Sequence, residues 1–123
     1  MSTHPIVHVE FSAHDQAAAG KFFADLFGWK YQVVPDLNYV TYEAAPGPGG
    51  GFNKVDGESV KAGDVLVYVS TDDIDATLAK AESLGGKTVV PKMEIPSQGW
   101  FAIFADPTGN RIGLYTDLAG QGA

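Results

Sequence analysis

The sequence predicts an α+β domain of two tandem βαβββ units, covering about residues 4–56 and 62–117. Three observations lead there. The chain repeats itself at a fixed offset, each copy passes from two-residue alternation to helical spacing, and a turn signal joins the last two strands.

The repeat comes first because it organises everything else. With His8 laid on Leu66, a shift of 58 positions, HVEFSAHDQAAAGKFFADLFGWK runs without a gap over LVYVSTDDIDATLAKAESLGGKT. Val9 then meets Val67, Ser12 meets Ser70, Asp15 meets Asp73, Ala18 meets Ala76, Leu26 meets Leu84 and Gly28 meets Gly86. Each copy opens with a strand of two unlike faces. Val7, Val9 and Phe11 share one side, and Ile6, His8 and Glu10 the other. In the second copy Val65, Val67 and Val69 oppose Leu66, Tyr68 and Ser70. The apolar side should lie under the helix that follows, which leaves the mixed side to line something else.

The helices carry start and stop signals. Asp15 or Asp72 can cap a first turn, and Gly28 or Gly85 can take the left-handed conformation at the end. Ala18, Phe22 and Leu26, flanked by Phe23 and Phe27, form the expected buried stripe of the first helix; Ile74, Leu78 and Ala81 form the second. Strand-like stretches follow each helix: KYQVV, NYVTYE and a glycine-rich run in the first half, then KTVV, GWFAIFA and RIGLY in the second. Asp106-Pro107-Thr108-Gly109 has the residues of a type I turn and joins GWFAIFA to RIGLY. The run Pro46 to Gly51 lacks a following Lys-Ser or Lys-Thr, so it reads as a connection rather than a phosphate loop.

Composition bounds the function. Hydrophobic residues at 45% against 19% charged predict one packed core in a chain of 123 residues rather than disorder. The absence of cysteine removes disulfides and thiolate chemistry. A net charge of -7, with the basic residues scattered, argues against nucleic acid as a partner. No run is apolar enough to span a bilayer, and MSTHPIVHVEF does not read as a secretion signal, so a cytoplasmic, membrane-free protein is the expectation.

A repeated βαβββ unit with a D-P-x-G-N turn, here Asp106 to Asn110, resembles the vicinal oxygen chelate superfamily of glyoxalase I, bleomycin-resistance proteins and extradiol dioxygenases over nearly the whole chain. The resemblance implies a curved sheet around a cavity with helices outside, and a homodimer. Metal-dependent members place ligands on the cavity side of four strands. The first ligand position falls on His8, the second on Leu66, the one after the turn on Gly113, and the remaining one on Gly50 or Gly51. A single ligand survives, and Glu10 or His4 could add to it only in part, so neither metal nor other cofactor is expected.

His8 and Glu10 are the candidate acid/base pair, two residues apart on one side of a strand. Arg111 could anchor an anionic group, and Tyr68, Tyr115, Trp100, Phe52 and Phe104 could line an aromatic cavity, whereas His14 reads as a solvent-exposed loop residue. The expected activity is binding of a small organic molecule. The alternative is a metal-independent lyase or isomerase acting on a small carbonyl or oxygenated substrate through His8.

Overall fold

A computed structural model describes residues 3–118. Among these, eight strands and two helices follow one another as two βαβββ units, and the chain is α+β as the repeat predicts. The first unit holds β1 (Ile6–Ala13), α1 (Gln16–Phe27), β2 (Lys30–Val34), β3 (Tyr39–Glu43) and β4 (Gly50–Lys54). The second holds β5 (Val65–Ser70), α2 (Ile74–Ser83), β6 (Lys87–Ile95), β7 (Gly99–Ala105) and β8 (Arg111–Asp117).

By compactness the first unit runs Val7–Leu66, and the second takes in the chain start through Ile6 as well as Val67 onward. Hydrogen bonds explain that exchange. His4 Nδ1 lies 2.9 Å from the Ser70 carbonyl oxygen, and the Ser70 amide donates to the Pro5 carbonyl at 2.9 Å.

The strand orders are β2-β3-β4-β1 in the first unit and β5-β8-β7-β6 in the second. In both, the first strand pairs in parallel with the last, while the other ladders are antiparallel. Register decides which residues share a face. In the first unit Phe11, Phe52 and Val40 form one row, and Glu10, Gly51 and Thr41 the next, on the opposite side. The first row faces α1, where Phe52 is 0% exposed among Ala13, Val40 and Tyr42, with Phe11, Phe23 and Trp29 packed around them. The second core joins Ile74 and Leu78 of α2 to Ala102 and Leu114, with Val69, Trp100 and Phe104 against them.

Capping follows the sequence closely. The Asp15 carboxylate accepts from the Ala18 amide at 3.0 Å, and Gly28 closes α1 at φ 76°. At α2 the cap is Asp73, not Asp72: its carboxylate accepts from the Ala76 amide at 2.9 Å. The repeat already set Asp73 against Asp15, and one residue decides which side chain lies over the open amides. Gly85, at φ 99°, ends α2 with its amide bonded to the Glu82 carbonyl, and the Gly86 amide reaches back to that of Ala81.

The stripe expected on α1 needs correction. Phe22, Leu26 and Phe27 are more than half exposed, and the buried line runs through Ala19, Gly20 and Phe23. The reason is the close approach at Gly20, where a Cβ would come within 2.5 Å of the Tyr31 ring. The small residues mark the contact face, and the larger Phe22 and Leu26 are turned outward. On α2, Ile74 and Leu78 are buried as expected.

The Asp106 turn is built as read. Its Oδ1 accepts from the amides of Thr108, Gly109 and Asn110, and its Oδ2 from the Asn110 side chain. The Asn110 side chain and these amides hold the Asp106 carboxyl below its ordinary value.

Two outcomes test these assignments. Asp73→Ala should cost about 1 kcal/mol in thermal unfolding, while Asp72→Ala leaves the midpoint unchanged. For Asp106 the folded pKa is depressed, so its contribution is complete above the ordinary value of 3.8 and disappears as pH falls through the folded value. Asp106→Ala should therefore destabilise the protein at neutral pH, and the deficit relative to wild type should vanish in acid, as read by urea titration.

Candidate functional site

β1 is where polar chemistry enters the first unit. His8 and Glu10 lie on the side away from α1; His8 is half-buried and Glu10 is only 6% exposed. A buried carboxylate is tolerated only where donors replace its lost water. Both of its oxygens are served: Oε2 accepts from the Tyr39 hydroxyl at 2.6 Å and Oε1 from the Asn53 side chain at 2.7 Å.

Tyr39 is brought there by two local features. The 3-10 turn Pro35–Leu37 ends in Asn38 at φ 49°, which swings the chain into β3. Gly51 then provides the seat, since a Cβ at that position would collide with the Tyr39 ring and hydroxyl. From this seat the Tyr39 oxygen also meets His8 Nε2 at 2.8 Å, and the two rings stack with centroids 6.2 Å apart. Burial lowers the His8 pKa from 6.5, so the imidazole is neutral at pH 7. The resulting network is a neutral histidine, a phenol and a buried glutamate, hydrogen-bonded in series.

Tyr39 and Asn53 carry no recognisable motif. Only their parity on β3 and β4 relative to Glu10 could have pointed to them.

The other expected residues divide. Tyr68, Arg111 and Tyr115 lie on the face of the second unit away from α2, since Tyr68 pairs with Gly113 and both Arg111 and Tyr115 are two residues from it. The Tyr115 hydroxyl donates to the Gln98 carbonyl at 3.2 Å, and burial together with Asp117 raises its pKa. Three aromatic residues, Phe52, Trp100 and Phe104, lie elsewhere than expected. Phe52 belongs to the first core, and Trp100 packs with Phe104 on the helix side of β7, with Lys92 Nζ 4.9 Å above its ring. Even-numbered positions of β7 face α2, so neither Trp100 nor Phe104 can line the opposite side. His14 is exposed, as its loop position suggested. A cavity of about 420 Å³ opens in the first unit, lined by Asp15, Gln16, Pro35, Asn38 and Lys54, with Tyr39 at its wall.

The donor set does not fit a divalent metal. Gly113 cannot be exchanged for a ligand without its Cβ striking the Tyr68 ring, Gly51 is covered by Tyr39, and a Cβ at Gly50 would run into the Val9 carbonyl. Leu66 offers no donor atom, and among the described residues no three His, Asp or Glu side chains gather in a group able to hold an ion.

Comparison with known proteins bears on the family and the fold. The profile of the family described as "Glyoxalase-like domain" matches residues 8–115. A Mycobacterium bovis protein named "Putative glyoxylase CFP32" is 31% identical over 87% of the chain, which covers 43% of that protein. The anthracycline biosynthesis protein DnrV of Streptomyces peucetius is 29% identical over 93% of the chain, which covers 47% of it. The chain thus spans about half the length of these relatives. Among solved structures, Streptomyces coelicolor methylmalonyl-CoA epimerase in complex with 2-nitronate-propionyl-CoA aligns with TM-score 0.66 at 17% identity, covering 94% of this chain and 95% of that one. The Mn(II)-bound glyoxalase of Novosphingobium aromaticivorans aligns with TM-score 0.65 at 21% identity, covering 92% of this chain and 38% of that one. At such identities these two establish the fold alone.

The glycine seats can be tested by a double-mutant cycle. Gly113→Ala should destabilise wild type by roughly 1–3 kcal/mol through overpacking. In a Tyr68→Ala background the same change should cost much less, giving a coupling energy of about 0.5–3 kcal/mol in chemical denaturation.

Proposed function

The chain belongs to the glyoxalase-like domain family, and within it we propose that this protein binds a small oxygenated organic molecule, without a metal, at the face where His8, Glu10 and Tyr39 meet. The observation that carries this reading is the hydrogen-bonded series from Glu10 through Tyr39 to His8. A buried, hydrogen-bonded carboxylate in series with a histidine of lowered pKa is the kind of group that marks sites of ligand chemistry. A carbonyl or hydroxyl group is the natural partner for a face that presents imidazole, phenol and amide side chains.

A second reading, metal-independent lyase or isomerase activity, is favoured by one feature of the same series. A histidine oriented by a neighbour that is itself oriented by a carboxylate is the arrangement used for general acid and base catalysis.

A thermal-shift screen of small aromatic, carbonyl and cationic compounds tests the binding reading. A true ligand at a hundredfold excess over its Kd adds about 2.7 kcal/mol to stability. His8→Ala should weaken that binding and leave the unliganded protein folded. If His8→Ala instead unfolds the protein and no compound's affinity changes, His8 is structural and the reading fails. Loss of a proton signal next to a carbonyl in deuterated water, dependent on His8, would establish the catalytic alternative.

We also propose a homodimer. On the first unit Phe22, Leu26, Phe27, Tyr31 and Val33 are each at least 40% exposed. Exposed apolar clusters of this kind mark association surfaces. Light scattering should give twice the chain mass, and Phe22→Asp with Leu26→Asp should give a folded monomer; a wild-type monomer at micromolar concentration would refute the dimer.

A further inference from the structure

Tyr39 has a single phenol proton, and two neighbours compete for it. At 2.6 Å its contact with Glu10 Oε2 lies in the range of hydroxyl-to-carboxylate bonds, whereas the 2.8 Å contact with His8 Nε2 is of ordinary length. With Glu10 ionised, a proton pointed to His8 would leave a phenol lone pair facing the Glu10 oxygen at the shorter distance, with Asn53 already donating to the other oxygen. The proton therefore goes to Glu10, and the phenol oxygen can only accept from His8.

We propose that Tyr39 is the positioning residue of the site: it passes the polarity of Glu10 to His8 and fixes the His8 proton on Nε2. This rests on the binding reading above. Three placements support it. The left-handed Asn38 delivers Tyr39 at the start of β3, Gly51 yields the room its ring needs, and β1 sets His8 and Glu10 on one face, two residues apart. The second unit has the seat without the rest of the device. There Tyr68 lies over Gly113, but the repeat puts Leu66 where His8 stands, and Tyr68 itself where Glu10 stands. Tyrosine over glycine is thus a packing solution common to both units, and the proton-setting series is particular to the first.

The test is a long-range proton–nitrogen spectrum of uniformly nitrogen-15-labelled full chain, with the His8 signals assigned by their loss in His8→Asn. In wild type, His8 should be protonated on Nε2, with that proton protected from water exchange. Tyr39→Phe keeps the ring over Gly51 and removes only the hydroxyl, so it should fold. It should lose the protection and bind the compounds found by the thermal-shift screen about tenfold more weakly, the loss of one hydrogen bond to an oriented group. A wild-type His8 protonated on Nδ1, or a Tyr39→Phe protein that retains the protected Nε2 proton, would overturn the proposal. The wild-type spectrum decides the matter even if Tyr39→Phe does not fold. It also does so if the screen yields no ligand, in which case the function reading fails by itself.

Discussion

Burying the Glu10 carboxylate is the constraint from which the first unit's polar face follows. An ionisable group withdrawn from water costs several kcal/mol unless protein donors replace the hydration. Here the donors come from two other strands, Tyr39 on β3 and Asn53 on β4. Their placement requires a left-handed residue before one strand and a glycine in the other. His8 is drawn in by the same phenol. Removing any member takes a hydrogen bond from another, so these residues form a cooperative unit rather than independent contacts.

The same economy bears on metal chemistry. An open catalytic metal site needs about three protein donors converging on one point with space between them. In this chain the space at Gly51 is filled by the ring of Tyr39 and that at Gly113 by the ring of Tyr68. The histidine that the family pattern would contribute is already engaged with a phenol. A glycine at a ligand position is thus more than a missing donor. It is the condition that lets an aromatic side chain occupy the position, and a ligand put back by a single substitution would meet that ring.

How much of this the sequence discloses depends on the range of the interaction concerned. The repeat, the alternation of β1, β5 and β8, the Asp106 turn and the caps at Asp15 and Gly28 are local patterns, and local sterics and hydrogen bonding settle them. Errors arise where two adjacent local solutions are equally good. Asp72 and Asp73 can both cap a helix, and the lines through Ala18 and Ala19 are both apolar on α1. Size favours the first line, but the close contact at Gly20 selects the second. Aromatic content alone does not assign Phe52, Trp100 and Phe104 to a face, because strand parity comes only from the register. Tyr39 is hidden in the sequence for a different reason. Its role depends on a glycine in one strand and a carboxylate in another, far apart in sequence.

Duplication explains why one fold can tolerate such specialisation. Two βαβββ units each close their own core, one around Phe52 and the other around Ile74 and Leu114. The face turned away from the helix therefore bears little of the packing burden and can differ between copies. In the first it carries histidine, glutamate and a phenol in series; in the second it carries Tyr68 over Gly113 and the exposed Arg111. The frame shared with an epimerase and a manganese-bound glyoxalase at 21% identity or less says nothing about which chemistry that face performs. The deciding information lies in a handful of side chains. In this chain they replace a converging set of metal donors with a neutral imidazole whose proton is directed by a phenol.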